Sequence, residues 1–157
     1  MSIKVKTAEV KDASAIAAMI MDVGWFHDFE KAPGSERTDM VRRQLELCLA
    51  DKSHSVYVAE SDDGNLVGYA AVHWLPYLFL KGPEGFISEL FVLSDLRGKG
   101  IGKKLIAEIE AEAKARGCVR LHLVNSRERD SYKRGFYSQS GWREREQVAN
   151  FVYPLDA

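Results

Sequence analysis

Cysteine is scarce in this sequence, and the only two, Cys48 and Cys118, lie far apart in apolar-patterned segments. A disulfide framework is therefore not expected, and two buried free thiols fit a reducing compartment. No apolar run reaches the length of a membrane span, and the N-terminus lacks the apolar core of a signal peptide. These absences predict a cytoplasmic protein without a membrane partner.

An excess of charge of one sign is also lacking, because the formal net charge is −1. Neither a nucleic acid nor an anionic membrane surface is therefore expected as the main partner. The four histidines do not have the spacing of metal ligands, so no metal site is expected. The chain does have 157 residues, of which 46% are hydrophobic. That is enough for a single domain with its own core over residues 1–157.

The hydrophobic pattern alternates between the strand period and the helix period. Strands are predicted at residues 3–7, 55–61, 66–74, 86–93, 118–124, 142–146 and 148–155. Helices are predicted to begin near Asp12, near Thr38 or Asp39, after the glycines of residues 98–102, and at Ser131 behind a capping Asp130. Asp63 and Gly64 predict a tight turn between the second and third strands. The order β-α-α-β-β-β-α-β-α-β-β predicts an α/β fold with a mixed (α+β) sheet and one parallel crossover.

The third helix is preceded by three glycines at alternate positions, Gly98, Gly100 and Gly102. A Walker loop is excluded because Lys103 is followed by Lys104 rather than by Ser or Thr. A dinucleotide fingerprint is excluded because Lys103 occupies the place of its third glycine. A tight turn alone needs only one glycine, whereas bare amides at a helix N-terminus bind phosphate groups. The pattern therefore predicts a phosphate site of another kind.

At these residues the sequence resembles the GNAT superfamily of acetyl-coenzyme A-dependent N-acetyltransferases. Arg97, Gly100 and Gly102 match its Arg/Gln-x-x-Gly-x-Gly/Ala signature, which opens the helix after the fourth strand. The later segment "GFYSQSGW" is similar to a second family motif, with Tyr137 and Gly141 in register. The resemblance covers nearly the whole chain and implies a three-layer fold with splayed central strands. It also implies acetyl-coenzyme A as the donor substrate.

The resemblance implies which residues hold coenzyme A. The pyrophosphate would contact the turn and the start of the helix, namely Arg97, Gly98, Lys99, Gly100, Ile101, Gly102 and Lys103. A bulge would splay the fourth strand from the fifth, so that the pantetheine arm contacts the backbone of Leu90, Phe91 and Val92. Relatives often have an asparagine where this chain has Asp130, and Asn125 is the residue expected to replace its contact with coenzyme A.

Two side chains are the catalytic candidates. Tyr137 lies where the family has an acid that protonates the leaving thiolate; its alternative role is that of a half-buried aromatic. Tyr132 is the weaker candidate for this acid. Glu89 is the candidate base, and burial of its carboxylate would raise its pKa toward neutrality. A water chain to a base elsewhere, or a structural ion pair between Glu89 and a nearby cation, remain as alternatives.

The acceptor is expected at two loops that are rich in aromatic residues. The candidate residues are Trp25, Phe26, Asp28, Glu30, Trp74 and Tyr77. Carboxylates and aromatic faces suit a cationic amine, so a small primary amine is predicted. The apolar second loop is compatible with a pocket wall, a lid or a homodimer contact. The alternatives to this enzyme are a non-catalytic acyl-coenzyme A sensor or interaction module, and an acetyltransferase acting on a peptide or protein amine.

Overall fold

The computed structural model describes residues 1–155 and divides the chain into two compact units, residues 1–123 and the residues from 124 onward. The predicted domain of residues 1–157 thus includes two residues outside those described. The strands of the first unit are β1 (Ile3–Thr7), β2 (His54–Ser61), β3 (Leu66–Leu75), β4 (Glu84–Val92) and β5 (Arg120–Leu123). Its α-helices are α1 (Ala13–Val23), α2 (His27–Lys31), α3 (Gly34–Leu49) and α4 (Ile101–Ala115). The second unit contains α5 (Asp130–Lys133).

The five strands form one mixed sheet in the order β1-β2-β3-β4-β5. All neighbouring pairs are antiparallel except β4 and β5, which are parallel and are connected through α4. The predicted crossover and fold class are therefore confirmed. Gly64, with φ +80°, completes the predicted turn between β2 and β3. None of the helices within residues 1–155 has the length and apolar character needed to cross a membrane.

Alternate residues of β3 face the two helical layers of the first unit. Tyr69 and Ala71 belong to a buried cluster with Ile16 and Met19 of α1 and with Leu45 of α3. A Cβ at Gly68 would instead meet the side chains of α4, so the intervening positions face that helix. This alternation follows from the two-residue period of a strand. The sheet therefore has α1 and α3 on one face and α4 on the other.

A bulge divides β4 into two halves. Ala71 pairs with Glu89 and Val72 pairs with Ile87, so Ser88 is an extra residue without a partner in β3. Pairing with β5 covers only the first half of β4 and ends where Ile87 meets Leu123. Within residues 1–155, positions 89–92 of β4 therefore pair with β3 alone. The bulge and the splayed strands implied by the family resemblance are confirmed.

The paired half of β4 is held to β5 by a buried carboxylate. Glu84 is only 1% exposed, forms an ion pair with Arg120 on β5, and its carboxylate contacts the ring of His122 on the same strand. A buried carboxylate requires such partners because the loss of its hydration is costly. The strands β4 and β5 thus separate just beyond the segment in which Glu84 holds them together.

The predicted start of the second long helix was wrong. The helix α3 begins at Gly34, and the short helix α2 lies within the segment predicted to be a loop. The guanidinium of Arg37 donates hydrogen bonds to the carbonyl oxygens of Glu30 and Ala32, which ties α2 to the first turn of α3. The polar first turn of α3 has no apolar periodicity, so the hydrophobic pattern missed it.

Two predictions for the second unit were also wrong. The helix predicted from Ser131 onward is replaced by α5 and by a separate 3₁₀ turn, Ser138–Ser140, because Gly135 has φ +68° between them. Asp130 is the first residue of α5 and makes no capping hydrogen bond. Among the described residues the predicted closing strands, 142–146 and 148–155, do not form. An alternating pattern becomes a strand only when another strand pairs with it.

Candidate active site

Glu89 carries a largely buried carboxylate on the face of the sheet that is covered by α1 and α3. The Tyr69 hydroxyl donates a 3.0 Å hydrogen bond to Glu89 Oε1, and the Tyr69 ring packs against Phe91. Glu89 and Phe91 therefore share one face, as strand alternation predicts. Burial raises the pKa of Glu89 above its usual range, and the hydrogen bond from Tyr69 opposes this shift.

Within residues 1–155, no lysine, arginine or histidine forms an ion pair with Glu89. The hypothesis that this glutamate is paired with a nearby cation is therefore wrong. A buried, unpaired carboxylate costs the native state free energy, which is typical of residues retained for function.

A cavity of about 330 Å³ lies beside Glu89, between the sheet and the helices α1 and α3. Its walls are mainly aliphatic and aromatic, including Ile16, Ile20, Phe29, Met40, Val41 and Leu45. Of the described residues that line it, Glu89 is the only one with a carboxylate, and neither lysine nor arginine contributes to it. The cavity is therefore mainly apolar, with one acidic group and with Gln44, His54 and His73 among its other polar groups.

Two histidines line the cavity further along the sheet. The His73 and His54 rings make an edge contact with centroids 4.6 Å apart, and His73 Nε2 lies 2.8 Å from the hydroxyl oxygen of Ser88. Burial lowers the pKa of His73, and the neighbouring His54 lowers it further. His73 is consequently an uncharged hydrogen-bonding group near neutral pH.

The glycine turn that precedes α4 has an exposed backbone. Gly98 and Gly100 have φ angles of +79° and +82°, a left-handed conformation that favours glycine, and a Cβ at either position would meet open space. No described residue accepts a hydrogen bond from the amides of residues 98–103, whereas the next amide, that of Lys104, bonds to the Gly100 carbonyl oxygen. Unpaired amides at a helix N-terminus attract anions.

Two exposed lysines and one hydrogen bond to β4 lie at this turn. The side chains of Lys99 and Lys103 are exposed beside the amides. Arg97 Nε donates to the Val92 carbonyl oxygen at 3.2 Å, which fixes the turn to the end of β4. The turn therefore follows shortly after Leu90, Phe91 and Val92, whose strand has no partner on the side of β5. An open strand edge can accept an extended ligand through main-chain hydrogen bonds.

In the second unit, Tyr137 precedes the 3₁₀ turn Ser138–Ser140. Its ring makes edge contacts with Phe136 and Trp142, at centroid distances of 4.9 and 5.8 Å. Burial raises the pKa of Tyr137 to about 12, although the charges of Arg129 and Arg134 oppose the shift. Its hydroxyl forms no hydrogen bond with another described residue.

Two further polar residues of the second unit differ in what their side chains contact. The hydroxyl of Tyr132 donates to Glu144 at 2.8 Å, so it is already engaged. Asn125 Oδ1 accepts a 3.0 Å hydrogen bond from Ser131. The Asn125 Nδ2 amide group is buried and lacks a hydrogen-bond acceptor among the described residues. Such a group is rare in native proteins and indicates a missing partner.

The predicted acceptor residues do not all come together. Trp25 and Phe26 are partly exposed, and Phe26 makes an edge contact with Phe91 at 5.8 Å. Asp28 faces Lys31 and Glu30 faces His27 at ion-pair distance within α2. None of these four residues lines the cavity beside Glu89, whereas their neighbour Phe29 does.

The two remaining acceptor candidates lie elsewhere. Trp74 is buried on the α4 face, where its indole N–H donates to Ser55 and the Arg116 guanidinium covers its ring. It therefore faces away from Glu89. Tyr77 lies on the β3–β4 loop and packs against Phe79 at 5.5 Å.

Sequence reasoning missed three residues that surround Glu89. Tyr69 and His73 flank Ala71 at alternate positions of β3, so the strand pattern places them on one face. Their proximity to Glu89 depends on the β3–β4 register and on the bulge, neither of which the local pattern specifies. Phe29 was overlooked because α2 was expected to be a loop.

The model of a protein family described as the acetyltransferase (GNAT) family matches residues 23–142. The chain belongs to the GNAT acetyltransferases. The matched range of this GNAT acetyltransferase includes Glu89, the glycine turn and Tyr137. The family recognition made from the two motifs is therefore confirmed, and so is the assignment as an enzyme of the N-acetyltransferase class.

Two relatives are named as N-acetyltransferases, and a solved structure shares the fold. The chain is 32% identical to aminoglycoside N(6')-acetyltransferase type 1 of Stenotrophomonas maltophilia, over 72% of this chain and 75% of that protein. It is 34% identical to an aminoalkylphosphonate N-acetyltransferase of Salmonella typhimurium, over 52% of this chain and 53% of that protein. An integron cassette protein structure from V. cholerae has a TM-score of 0.81 at 19% identity, over 99% of this chain and 94% of that one. The last similarity shows the fold alone.

Replacing Glu89 with glutamine should stabilise the protein at alkaline pH. A carboxyl group whose pKa is raised by folding destabilises the native state as pH rises above about 4, the value in the unfolded chain. The free energy of unfolding in urea should therefore be higher for Glu89→Gln than for the original chain at pH 8. This gain should disappear near pH 4. Glu110→Gln, at an exposed position of α4, is the matched control, and a less stable Glu89→Gln at pH 8 would contradict the assignment of an unpaired carboxylate.

Proposed function

We propose that this protein transfers the acetyl group of acetyl-coenzyme A to the primary amine of a small molecule. One arrangement within the first unit carries the proposal. The half of β4 that pairs with β3 but not with β5 is connected by a short segment to the glycine turn with its free amides, and the same strand carries the largely buried carboxylate of Glu89. An extended ligand with a phosphate end and a reactive end near a base fits this arrangement.

The residues present fit coenzyme A as the donor. The amides of residues 98–103 would bind its pyrophosphate, and Lys99 and Lys103 would add positive charge. The backbone of Leu90, Phe91 and Val92 would accept the pantetheine arm along the open edge of β4. Arg97 would act by holding the turn against β4, because its Nε is bonded to the Val92 carbonyl oxygen. The buried Asn125 amide would supply one further hydrogen-bond donor.

The chemistry requires one group that removes a proton and another that supplies one. Acetylation forms a C–N bond and breaks the C–S bond of the thioester. The nitrogen needs a free electron pair to attack, so the ammonium group must first lose a proton, which Glu89, with its raised pKa, would take and pass to solvent. Tyr137, whose pKa of about 12 keeps its hydroxyl protonated at neutral pH, would give its proton to the departing thiolate. The nitrogen loses a second proton as the amide forms, and this proton would restore the tyrosine hydroxyl.

We also infer a cytoplasmic location, which the free thiols of Cys48 and Cys118 support. The exposed side chains of Leu78 and Phe79 on the β3–β4 loop would provide an apolar surface for a homodimer. Both inferences are independent of the catalytic assignment.

The release of free coenzyme A from acetyl-coenzyme A should increase when primary amines are added, as measured with a thiol reagent. Tight binding of acetyl-coenzyme A without turnover, across small amines and peptides, would refute the enzyme and support a non-catalytic sensor. Turnover with peptide amines alone would support the protein-modifying alternative.

Replacing Gly100 with alanine should raise the KM for acetyl-coenzyme A by about ten-fold or more. The added methyl group would disturb the hydrogen bonds from the backbone amides to the charged pyrophosphate, and such bonds are worth about 1.5–3 kcal/mol. Gly64→Ala is the matched control, since Gly64 has nearly the same φ, +80° against +82°, and also faces open space. Both variants should lose about 1–2 kcal/mol of stability from the left-handed backbone. Equal KM values for the two variants would show that the turn does not bind the pyrophosphate.

Replacing Tyr137 with phenylalanine should lower kcat by about 10²–10⁴-fold, the usual contribution of a general acid. The KM for acetyl-coenzyme A should change little, because the ring and its aromatic contacts remain. Tyr132→Phe serves as the control, since the Tyr132 hydroxyl is bonded to Glu144 and should not affect kcat. An unchanged kcat in Tyr137→Phe over the full pH range would exclude this tyrosine as the acid.

A further inference from the structure

The cavity beside Glu89 is partly open to solvent, so it is a cleft that a ligand can enter rather than an enclosed packing defect. Ligand sites of proteins are usually concave, mostly apolar clefts of a few hundred Å³ with a small number of polar groups. A volume of about 330 Å³ has room for about eleven water-sized groups of ~30 Å³ each. Retaining such a space between α3 and the sheet sacrifices apolar contacts that would otherwise stabilise the fold. The cavity is therefore better explained as a binding site.

The walls of the cavity select an apolar ligand. Side chains from α1, α2 and α3 contribute Ile20, Phe29, Met40 and Val41 to the lining. These four side chains cannot form hydrogen bonds with the hydroxyl groups of a sugar. The hydrogen-bonding side chains of the lining, which include Gln44, His54 and His73, are few, so a ligand with many hydroxyl groups would lose most of its hydration without compensation.

The single carboxylate of the cavity favours a ligand with one positive charge. The Glu89 carboxylate accepts a hydrogen bond from Tyr69 but has no cationic partner among residues 1–155, and it is the only carboxylate of the lining. One ammonium group would balance it, whereas each additional ammonium group would be buried unpaired. The carboxylates of the neighbouring helix α2 do not balance a further cation here, because neither Asp28 nor Glu30 lines the cavity.

The positions of Glu89 and His73 define the direction in which a ligand would lie in the cavity. Glu89 is paired with Ala71, and His73 lies two residues further along β3, about 6.6 Å away at ~3.3 Å per residue. A ligand whose amine meets Glu89 would thus extend along β3 toward the edge-packed rings of His54 and His73. The distance matches a short arylalkyl or alkyl chain rather than an oligosaccharide.

We propose that this cavity is the acceptor subsite, and that it takes a primary monoamine with a short arylalkyl or alkyl body. The ammonium group lies at Glu89, and the apolar body lies between the sheet and the helices α1 and α3. This inference rests on the proposed acetyltransferase function and specifies its substrate class. It separates this chain from the relative that is named for aminoglycosides, which carry several amines on a polar framework.

A comparison of acceptors tests the inference. With acetyl-coenzyme A saturating, kcat/KM should be at least about 100-fold higher for 2-phenylethylamine or hexylamine than for spermidine or kanamycin. This ratio corresponds to about 2.7 kcal/mol, the scale expected for burying one apolar side chain. Preferred turnover of kanamycin or spermidine would overturn the apolar assignment and would leave the acetyltransferase function intact.

A substitution that narrows the cavity gives a second readout. Val41→Phe fills part of the space with a larger side chain, so the KM for 2-phenylethylamine should rise at least about ten-fold. The KM for acetyl-coenzyme A should stay the same, and methylamine should be affected less. Leu47→Phe is the matched control, because Leu47 is on the same helix but is 66% exposed. Equal effects of the two variants would contradict the assignment of the cavity.

Binding can also be measured without turnover, because Cys48 lines the cavity. In a Cys118→Ser background, 2-phenylethylamine should slow the alkylation of Cys48 by N-ethylmaleimide at least several-fold, and kanamycin should not. Protection without any acetyl transfer would refute the proposed function and leave the cavity as an amine site. Rapid acetylation of 2-phenylethylamine with no protection of Cys48 would refute the cavity as the acceptor site.

Discussion

The separation of β4 from β5 after Ile87 is the constraint on which the rest of the site depends. Glu84 and its contacts with β5 join the first halves of the two strands, and the bulge at Ser88 lies where their pairing ends. Beyond that point β4 has one unpaired edge, which globular proteins normally cover. The same segment then enters the glycine turn, whose amides are also unpaired. One continuous stretch of backbone thus combines a main-chain edge with an anion site.

The position of Glu89 immediately after the bulge gives the site its acid–base character. The carboxylate faces an apolar cavity and is held by the Tyr69 hydroxyl instead of by a cation, so its pKa rises. A base that must accept a proton near neutral pH benefits from this shift, although the native state becomes less stable. The empty volume of the cavity also makes the native state less stable. A filled space between α3 and the sheet would therefore favour stability, whereas an open space favours activity.

The second unit contributes a buried group that lacks a partner among the described residues. The Asn125 Nδ2 amide group is buried and has no hydrogen-bond acceptor among the described residues, and the largely buried Tyr137 keeps its hydroxyl protonated at neutral pH. Buried polar groups are nearly always satisfied in folded proteins, so the Asn125 amide indicates a missing partner, such as a ligand or a water molecule. The neighbouring Tyr132 shows the contrast, because its hydroxyl is occupied by Glu144. The two tyrosines lie only five residues apart, but of the two only the Tyr132 hydroxyl is bonded to Glu144.

The sequence alone determined the local features of this protein. The alternate glycines before α4 and the hairpin turn at Gly64 could be predicted because left-handed turns and helix starts depend on a few neighbouring residues. The family followed from the spacing of Arg97, Gly100, Gly102 and Tyr137. Only the tertiary structure decided that Tyr69 meets Glu89, that Trp74 faces α4, and that residues 148–155 form no strand. These outcomes depend on strand register, on one bulge and on the availability of a pairing strand, all of which arise from contacts between distant segments.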